Sequence, residues 1–394
     1  MKKIIVCLIT IMHCMVHAQG NNYIFLTKGE NAPASTSWTI IGAGPAGITT
    51  IGLLLDLGVQ GKDITWVDPD FGVGRIGQLY SSIPSNTKTK LFVEFINACK
   101  VFQECDSPAL EKLYQYNPEI EYPLHIIIDP LKDITTHLMS KVNVLRTRLQ
   151  SLNFQENVWG VGVTDSQFTS EHVVLATGSH PYSLDYSCNH EIPLDMALNK
   201  ERLAQEVTSE DSIAVVGGAH SAVLILKFLS ELNVKRIINF YKSPIRYAVD
   251  MGDWILYNES GLGGIAAQWA QNVLEKSPPA NLVRIYNCAE SLDAWLPICN
   301  KIIYAVGFER NTLPVIPENA KLEYDSTTGI IAPRLFGIGI AFPETYTDPL
   351  GNVEYRIGLS QFMEYAQRVI PQWMKKDYQG TFERFNQLFT IDLL

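Results

Sequence analysis

Residues 42–47 read Gly42-Ala43-Gly44-Pro45-Ala46-Gly47, a complete GxGxxG placed directly after the apolar run 38–41 and directly before the apolar-periodic stretch 48–57. The pattern is restrictive because each glycine has its own steric duty. The first makes a tight turn, the second lets backbone approach a diphosphate, and the third lets a helix pack on a strand. Strand, turn and helix in that order aim unpaired N–H groups and a positive dipole end at one point, which suits an anion. The next apolar run, 64–67, ends in Asp68, at the distance where an acid accepts ribose hydroxyls. A dinucleotide-binding βαβ unit is therefore predicted, with contacts from Gly42, Gly44, Pro45, Ala46, Gly47 and Asp68.

The chain repeats this opening once. An apolar strand at 212–216 leads into Gly217-Gly218-Ala219-His220-Ser221-Ala222, then a helix over 222–232 and a strand over 236–241. Ala219 stands where the second glycine would be, which sets a diphosphate slightly further off. No acid closes the strand; Lys242, Ser243 and Arg246 follow it instead. An acid there would favour NAD, whereas cations and a hydroxyl suit a 2′-phosphate, so NADPH is the expected coenzyme. A solvated basic turn is the alternative. The expected contacts are Gly217, Gly218, His220, Ser221, Lys242 and Arg246, with His220 beside the phosphates rather than acting as a general base.

A chain of 394 residues is too long for one ordinary core and suits two domains. With 46% hydrophobic and 18% charged residues it has the composition of a globular enzyme. A formal charge of −10 without runs of Lys or Arg excludes a nucleic-acid partner. His125, His137, His172, His180, His190 and His220 show no metal-ligand spacing, so no metal is expected. The absence of GxSxG disfavours a serine hydrolase.

The amino terminus has the three parts of an export signal: Lys2 and Lys3, an apolar stretch over 4–15, and Val16-His17-Ala18 before Gln19. The stretch is short for a bilayer span. Cleavage of a signal peptide at 1–18 is expected, leaving no stable membrane span; an uncleaved anchor or a buried first strand are the alternatives. Five cysteines then remain, an odd set too sparse for a disulfide framework. Pairing of Cys99 with Cys105 or Cys288 with Cys299, and buried free thiols, are both open.

Between the two openings, helices are predicted over 91–102 and 131–149, strands over 157–164 and 172–175, and a connector over 182–209. The second unit ends with a strand at 301–305, and an amphipathic helix is predicted over 357–369.

Ala176-Thr177-Gly178-Ser179-His180-Pro181 is similar to the ATGxxP element of two-dinucleotide-binding flavoproteins, and Ala305-Val306-Gly307-Phe308 is similar to its second occurrence. With the two glycine turns, the chain resembles flavin-dependent monooxygenases of the flavin-containing and N-hydroxylating type, within the pyridine nucleotide-disulfide oxidoreductase superfamily. The resemblance implies an α/β fold in which an FAD-binding Rossmann-like domain, in two parts at 36–208 and 307–394, carries an inserted NAD(P)H-binding Rossmann-like domain at 209–306. It adds Ala176, Thr177, Gly178, Ala305 and Gly307 to the cofactor contacts. It also adds Gln78, Asn86 and Thr87 from a segment passing near the flavin, with a polar surface loop as the alternative reading. Gly339 falls at the end of the last FAD strand, and Gly358 at a helix start facing the flavin's pyrimidine edge.

The activity implied is FAD-dependent oxidation with NADPH and O2, oxygenating a nucleophilic nitrogen or sulfur of a small substrate. No catalytic acid or base is identified. Two departures stand out: Ile340 and Ala341 replace the acid that disulfide reductases carry there, and the FxGxxxHxxxF/Y segment of flavin monooxygenases is absent. No CxxC or CxxxxC follows the first turn either, which argues against disulfide reduction. An NAD(P)H reductase of a quinone or protein acceptor, and a non-catalytic exported flavin-fold protein, are the competing readings. Export to a periplasm or the outside pulls against an NADPH site. An endoplasmic-reticulum lumen would reconcile them, yet Ile391-Asp392-Leu393-Leu394 is no retention signal.

Overall fold

The computed structural model describes residues 32–186, 190–313 and 323–375; the expected leader and Cys188 lie outside them. In chain order the main elements begin with β1 Ser35–Ile41, α1 Pro45–Asp56, β2 Ile64–Val67 and α2 His125–Met139. Four strands follow: β3 Asn143–Leu145, β4 Leu149–Gln155, β5 Val158–Val163 and β6 Ser166–Leu175. The second unit comprises β7 Ser212–Val216, α3 His220–Glu231, β8 Arg236–Tyr241, β9 Leu282–Tyr286 and β10 Lys301–Tyr304. The chain then forms β11 Ile330–Ala332, β12 Leu335–Gly337, the hairpin β13 Glu344–Thr347 and β14 Val353–Arg356, and α4 Leu359–Trp373.

These elements build two sheets. The first has the order β11-β12-β6-β1-β2-β3, with β4 and β5 folded back antiparallel onto β6. Its central strands are parallel, with Ile41 level with Val67 on one side and Leu175 on the other. The second sheet is β9-β8-β7-β10, all parallel, with the short strand His190–Glu191 on its edge. Both faces of such parallel sheets are covered, so their strands are apolar throughout; all five residues of β7 are buried. Ile48, Ile51 and Leu54 of α1 pack with Trp66 and with Tyr365 and Trp373 of α4 on one face of the first sheet, while Trp159, Val161 and Phe342 cover the other.

Helix α4 places Phe362, Met363, Tyr365, Ala366, Val369, Ile370 and Trp373 on one buried stripe, the spacing of an amphipathic helix. Trp373 ends it by stacking on Phe336 at 4.5 Å and donating its indole N–H to the Thr328 carbonyl at 2.7 Å. Ser37 and Trp38 of β1, Gly58 and Val59 after α1, and Trp373 and Met374 of α4 line one groove of about 890 Å³. Both helices therefore end where β1 begins, and α1 starts at the other end of that strand, at the Gly42 turn.

The chain leaves and re-enters the first unit through a ribbon in which Ser179–Pro181 pairs antiparallel with Phe308–Arg310. The structure differs from expectation in three elements. The helix expected at 131–149 is α2 at 125–139, followed by β3 and the start of β4. The helix expected at 91–102 is two helices, Thr89–Asn97 and Lys100–Gln103. The connector carries helices Leu194–Ala197 and Lys200–Glu206. Among the described residues no helix is long and apolar enough to cross a membrane, and no cluster of His, Cys, Asp or Glu is placed to hold a metal.

Candidate functional site

The first turn is closed on its inner side by backbone. Gly42 has φ +109, and a Cβ there would lie 2.2 Å from the carbonyl oxygen of Ala176; one at Gly47 would lie 2.0 Å from the oxygen of Gly42. Any side chain at these positions would collide with main chain, which explains the two glycines and the small Ala176 together. Gly339, with φ +83, has the same constraint against Ala46, where a Cβ would come within 2.5 Å of its methyl. Gly44 caps α1, Pro45 occupies its first turn, and Gly74 approaches Gly44 closely enough that a Cβ on it would fall 3.0 Å from the Gly44 Cα. The outer side of the turn thus presents backbone, and the helix start supplies N–H groups without intrahelical partners. Beside it the Thr177 hydroxyl is buried with no partner among the described residues. A glycine cradle with an unmatched hydroxyl at its rim fits an FAD diphosphate.

Asp68 lies at the end of β2 as expected, but its carboxylate is already engaged. Oδ2 accepts the Ala43 N–H at 2.8 Å, and Oδ1 accepts those of Asp70 at 2.8 Å and Phe71 at 2.7 Å. Of the roughly four acceptor sites on a carboxylate, one on Oδ2 is left for a ribose hydroxyl. Gln78 donates to Asp70 Oδ2 at 3.3 Å and rests on Gly72, so it braces the same loop. Asn86 is exposed and lies against Gly263 and Gly264 of the second unit. Thr87 donates its N–H to the Ser85 hydroxyl at 2.9 Å.

The second turn repeats the first in detail. Gly217, at φ +138, would bring a Cβ 2.2 Å from the Ala305 oxygen. Its N–H donates to the Phe240 carbonyl at 2.8 Å, as that of Gly42 does to Val67 at 2.8 Å. Ala219 caps α3 at φ −96, a conformation open to alanine, so the missing glycine costs the backbone nothing. A cavity of about 510 Å³ opens here, with Gly217, Gly218, Lys242, Ser243, Arg246, Ser260, Ala305 and Gly307 in its wall. Among the described residues neither Lys242 nor Arg246 has a carboxylate partner; the Arg246 guanidinium lies 5.0 Å from the Tyr257 ring centroid. Ser221 follows in the first turn of α3. Burial lowers His220 to about 4, and its Nδ1 has no partner among the described residues, so the ring is uncharged at neutral pH and offers a phosphate no cation.

Long-range contacts that the sequence did not announce join the two units. Arg75 pairs with Asp195 and donates its Nε–H to the Ser179 carbonyl at 3.2 Å, while the Tyr80 hydroxyl also binds Asp195; burial first, and that carboxylate second, push the phenol up. Asn311 donates to the Thr177 carbonyl at 2.7 Å and meets His180 Nδ1 at 2.9 Å, which fixes Gly178 at φ +71 between the units. Gly358 caps α4 and Gln361 in its first turn reaches across to Glu259. Cys99, Cys105 and Cys288 are free thiols, so of the readings left open for the cysteines neither pairing, Cys99 with Cys105 or Cys288 with Cys299, forms.

Two sheets with parallel central strands, each with a glycine turn at the carboxyl end of one of them, define the α/β flavoprotein fold with an FAD-binding domain and a second dinucleotide-binding domain. The model of the pyridine nucleotide-disulphide oxidoreductase family matches residues 36–333, and the chain belongs to that family and is an FAD-dependent oxidoreductase. It is 31% identical over 390 residues to monooxygenase AgnR1 of Paecilomyces divaricatus, covering 87% of this chain and 99% of that one. Its fold is similar to the flavin-containing monooxygenase of Stenotrophomonas maltophilia, with 16% identity, a TM-score of 0.57, and 86% and 98% of the two chains covered. It is also similar to the cadaverine monooxygenase DfoA of Erwinia amylovora, solved with FAD, with 13% identity, a TM-score of 0.57, and 86% and 94% covered.

Proposed function

We propose that this protein is an NADPH-dependent flavin monooxygenase that places one atom of O2 on a nucleophilic nitrogen or sulfur of a small molecule. The observation that carries the coenzyme choice is the cavity at Gly217, whose mouth holds Lys242, Ser243 and Arg246 and no acid. Free cations at the end of β8 favour a 2′-phosphate and leave the two-hydroxyl ribose of NAD without its usual acceptor. Monooxygenase chemistry is supported by the relative that aligns over nearly its whole length. The sequence has no CxxC or CxxxxC after the first glycine turn, which leaves disulfide reduction without the paired dithiol it needs beside a flavin.

FAD, when bound, supplies the redox and oxygen chemistry; the chain supplies binding, orientation and exclusion of water. Gly42, Gly44 and Gly47 with the start of α1 would hold its diphosphate, and the open site on Asp68 a ribose hydroxyl. The start of α4, capped by Gly358, would offer its positive end to the flavin's pyrimidine edge. Lys242 and Arg246 would fix the coenzyme's phosphate end and the Gly217 turn its diphosphate.

The test is anaerobic titration of the flavin absorbance of the purified protein with NADPH and NADH, followed by turnover under labelled O2. Faster bleaching by NADPH and label in an N- or S-oxygenated product are expected. Faster bleaching by NADH overturns the coenzyme choice. Oxidation of NADPH only with an added acceptor, without label in product, overturns the monooxygenase in favour of a reductase.

A further inference from the structure

Strand β14 inverts the usual pattern of a surface strand. Val353 and Tyr355 are 63% and 62% exposed, whereas Glu354 between them is 7% exposed. Burying a carboxyl is costly unless donors fill it, and the three donors it has come from the second unit. Glu354 accepts the Ser260 hydroxyl at 2.6 Å, the Ser260 N–H at 3.1 Å and the Glu259 N–H at 3.3 Å. The hairpin is itself anchored in the FAD unit, since Arg356 pairs with Glu344 at 3.1 Å and with Glu364 of α4.

The loop gripped in this way, 257–264, is the mount of Arg246. The Leu262 N–H donates to the Arg246 carbonyl at 2.8 Å, and the Leu262 carbonyl accepts the Ala248 N–H at 3.0 Å. The Tyr257 ring centroid lies 5.0 Å from the Arg246 guanidinium. Tyr257 is held at φ +54, a left-handed conformation that a tyrosine keeps only where its surroundings impose it. The turn around it is closed by the Gly261 N–H, which donates to the Tyr257 carbonyl at 2.8 Å. Glu259 and Ser260 lie inside that turn, so Glu354 holds it from outside. Two further contacts with the FAD unit support the loop. Gln361 of α4 donates its side-chain N–H to Glu259 Oε1 at 2.8 Å, and a Cβ on Gly264 would fall 3.0 Å from the Ser85 carbonyl oxygen. Arg246, Ser260 and Leu262 all belong to the wall of the cavity at Gly217.

We propose that Glu354 is a positioning residue for coenzyme recognition: from the FAD unit it fixes the turn at 257–261, the turn fixes Arg246, and the preference for NADPH over NADH depends on it. This rests on reading that cavity as the coenzyme site. A guanidinium binds phosphate best through two parallel N–H groups, so its affinity depends on where its fork is held. NADH brings no 2′-phosphate to that fork and is indifferent to its placement.

The test titrates NADPH and NADH into the FAD-loaded protein as wild type, Glu354→Ala, Glu354→Gln, Arg246→Ala and the Glu354→Ala/Arg246→Ala double variant. Glu354→Ala is expected to weaken NADPH about fivefold and NADH little, and to add nothing once Arg246 is gone. Glu354→Gln keeps an oxygen for both Ser260 bonds and should stay near wild type. Glu354→Asp, a methylene short of its donors, is read in the same way as Glu354→Ala if that variant does not fold. Equal loss for both coenzymes, or losses that add in the double variant, overturn the positioning role. Hydrogen exchange at the Leu262 amide, without coenzyme, reads the mount directly and is expected to quicken about fivefold in Glu354→Ala. Unchanged protection there also overturns the role. If exchange quickens but Arg246→Ala itself does not separate NADPH from NADH, the mount stands and the reading of the cavity is what fails.

Discussion

The carbonyl oxygen of Ala176 sits 2.2 Å from where a methyl on Gly42 would be, and the pair locks the end of β6 against the first turn of the fold. Gly42→Ala must move one strand or the other, and adds the strain of a side chain at φ +109, of order 1 to 3 kcal/mol. The variant is expected to fold poorly or to be isolated without flavin colour; a wild-type visible spectrum and melting temperature would refute this.

Gly217 and Ala305 stand in the same relation in the second unit. Gly217→Ala is therefore expected to keep its flavin and to lose coenzyme affinity by about tenfold or more, corresponding to ~1.4 kcal/mol. The two glycine variants together separate the cofactor sites: flavin content reads the first and NADPH titration the second.

Arg246→Ala is expected to weaken NADPH about tenfold or more while leaving NADH little changed, because only the former offers a 2′-phosphate to the guanidinium. Stopped-flow flavin reduction with both coenzymes measures the ratio, and an equal loss for both would remove Arg246 from phosphate recognition.

Acid stability has a named contributor in the second sheet. Burial works to raise the Asp211 carboxyl, but Lys301, Asn300 and the Thr208 N–H outdo it and bring it down to about 2 from 3.8. For a depressed acid the stabilisation is complete above the unfolded value and is lost as pH falls through the folded one. The melting temperature of wild type should therefore drop more steeply than that of Asp211→Asn between about pH 4 and about pH 2.

If the amino-terminal segment is an export signal, the mature protein from a secreting host begins at Gln19. Terminal sequencing that returns Met1 would dismiss that reading.

Much of this architecture is written locally. β2, β7 and β8 have the bounds their apolar runs suggest, because a strand buried on both faces leaves a continuous apolar signature. The stretch 131–149 misled because Val144, Leu145 and Leu149 extend a helical period beyond Met139. The chain instead turns so that Asn143 pairs with Thr65, a partner far away in sequence. The site divides the same way. The glycine turns and the cations after β8 are consecutive residues and can be read, whereas Glu354 meets Ser260 across 94 positions and Gln361 meets Glu259 across 102. Polar residues scattered at such intervals carry no period, so only folding reveals that they form one seam.

The paired crossing of Ser179–Pro181 with Phe308–Arg310 has a mechanical consequence. A body attached through a single two-stranded neck is free to swivel about that axle but not to slide, so the angle between the halves is set by whatever grips lie off the axis. Arg75 with Asp195 is one such grip, and loosening it should change how far the insert turns without unravelling either half.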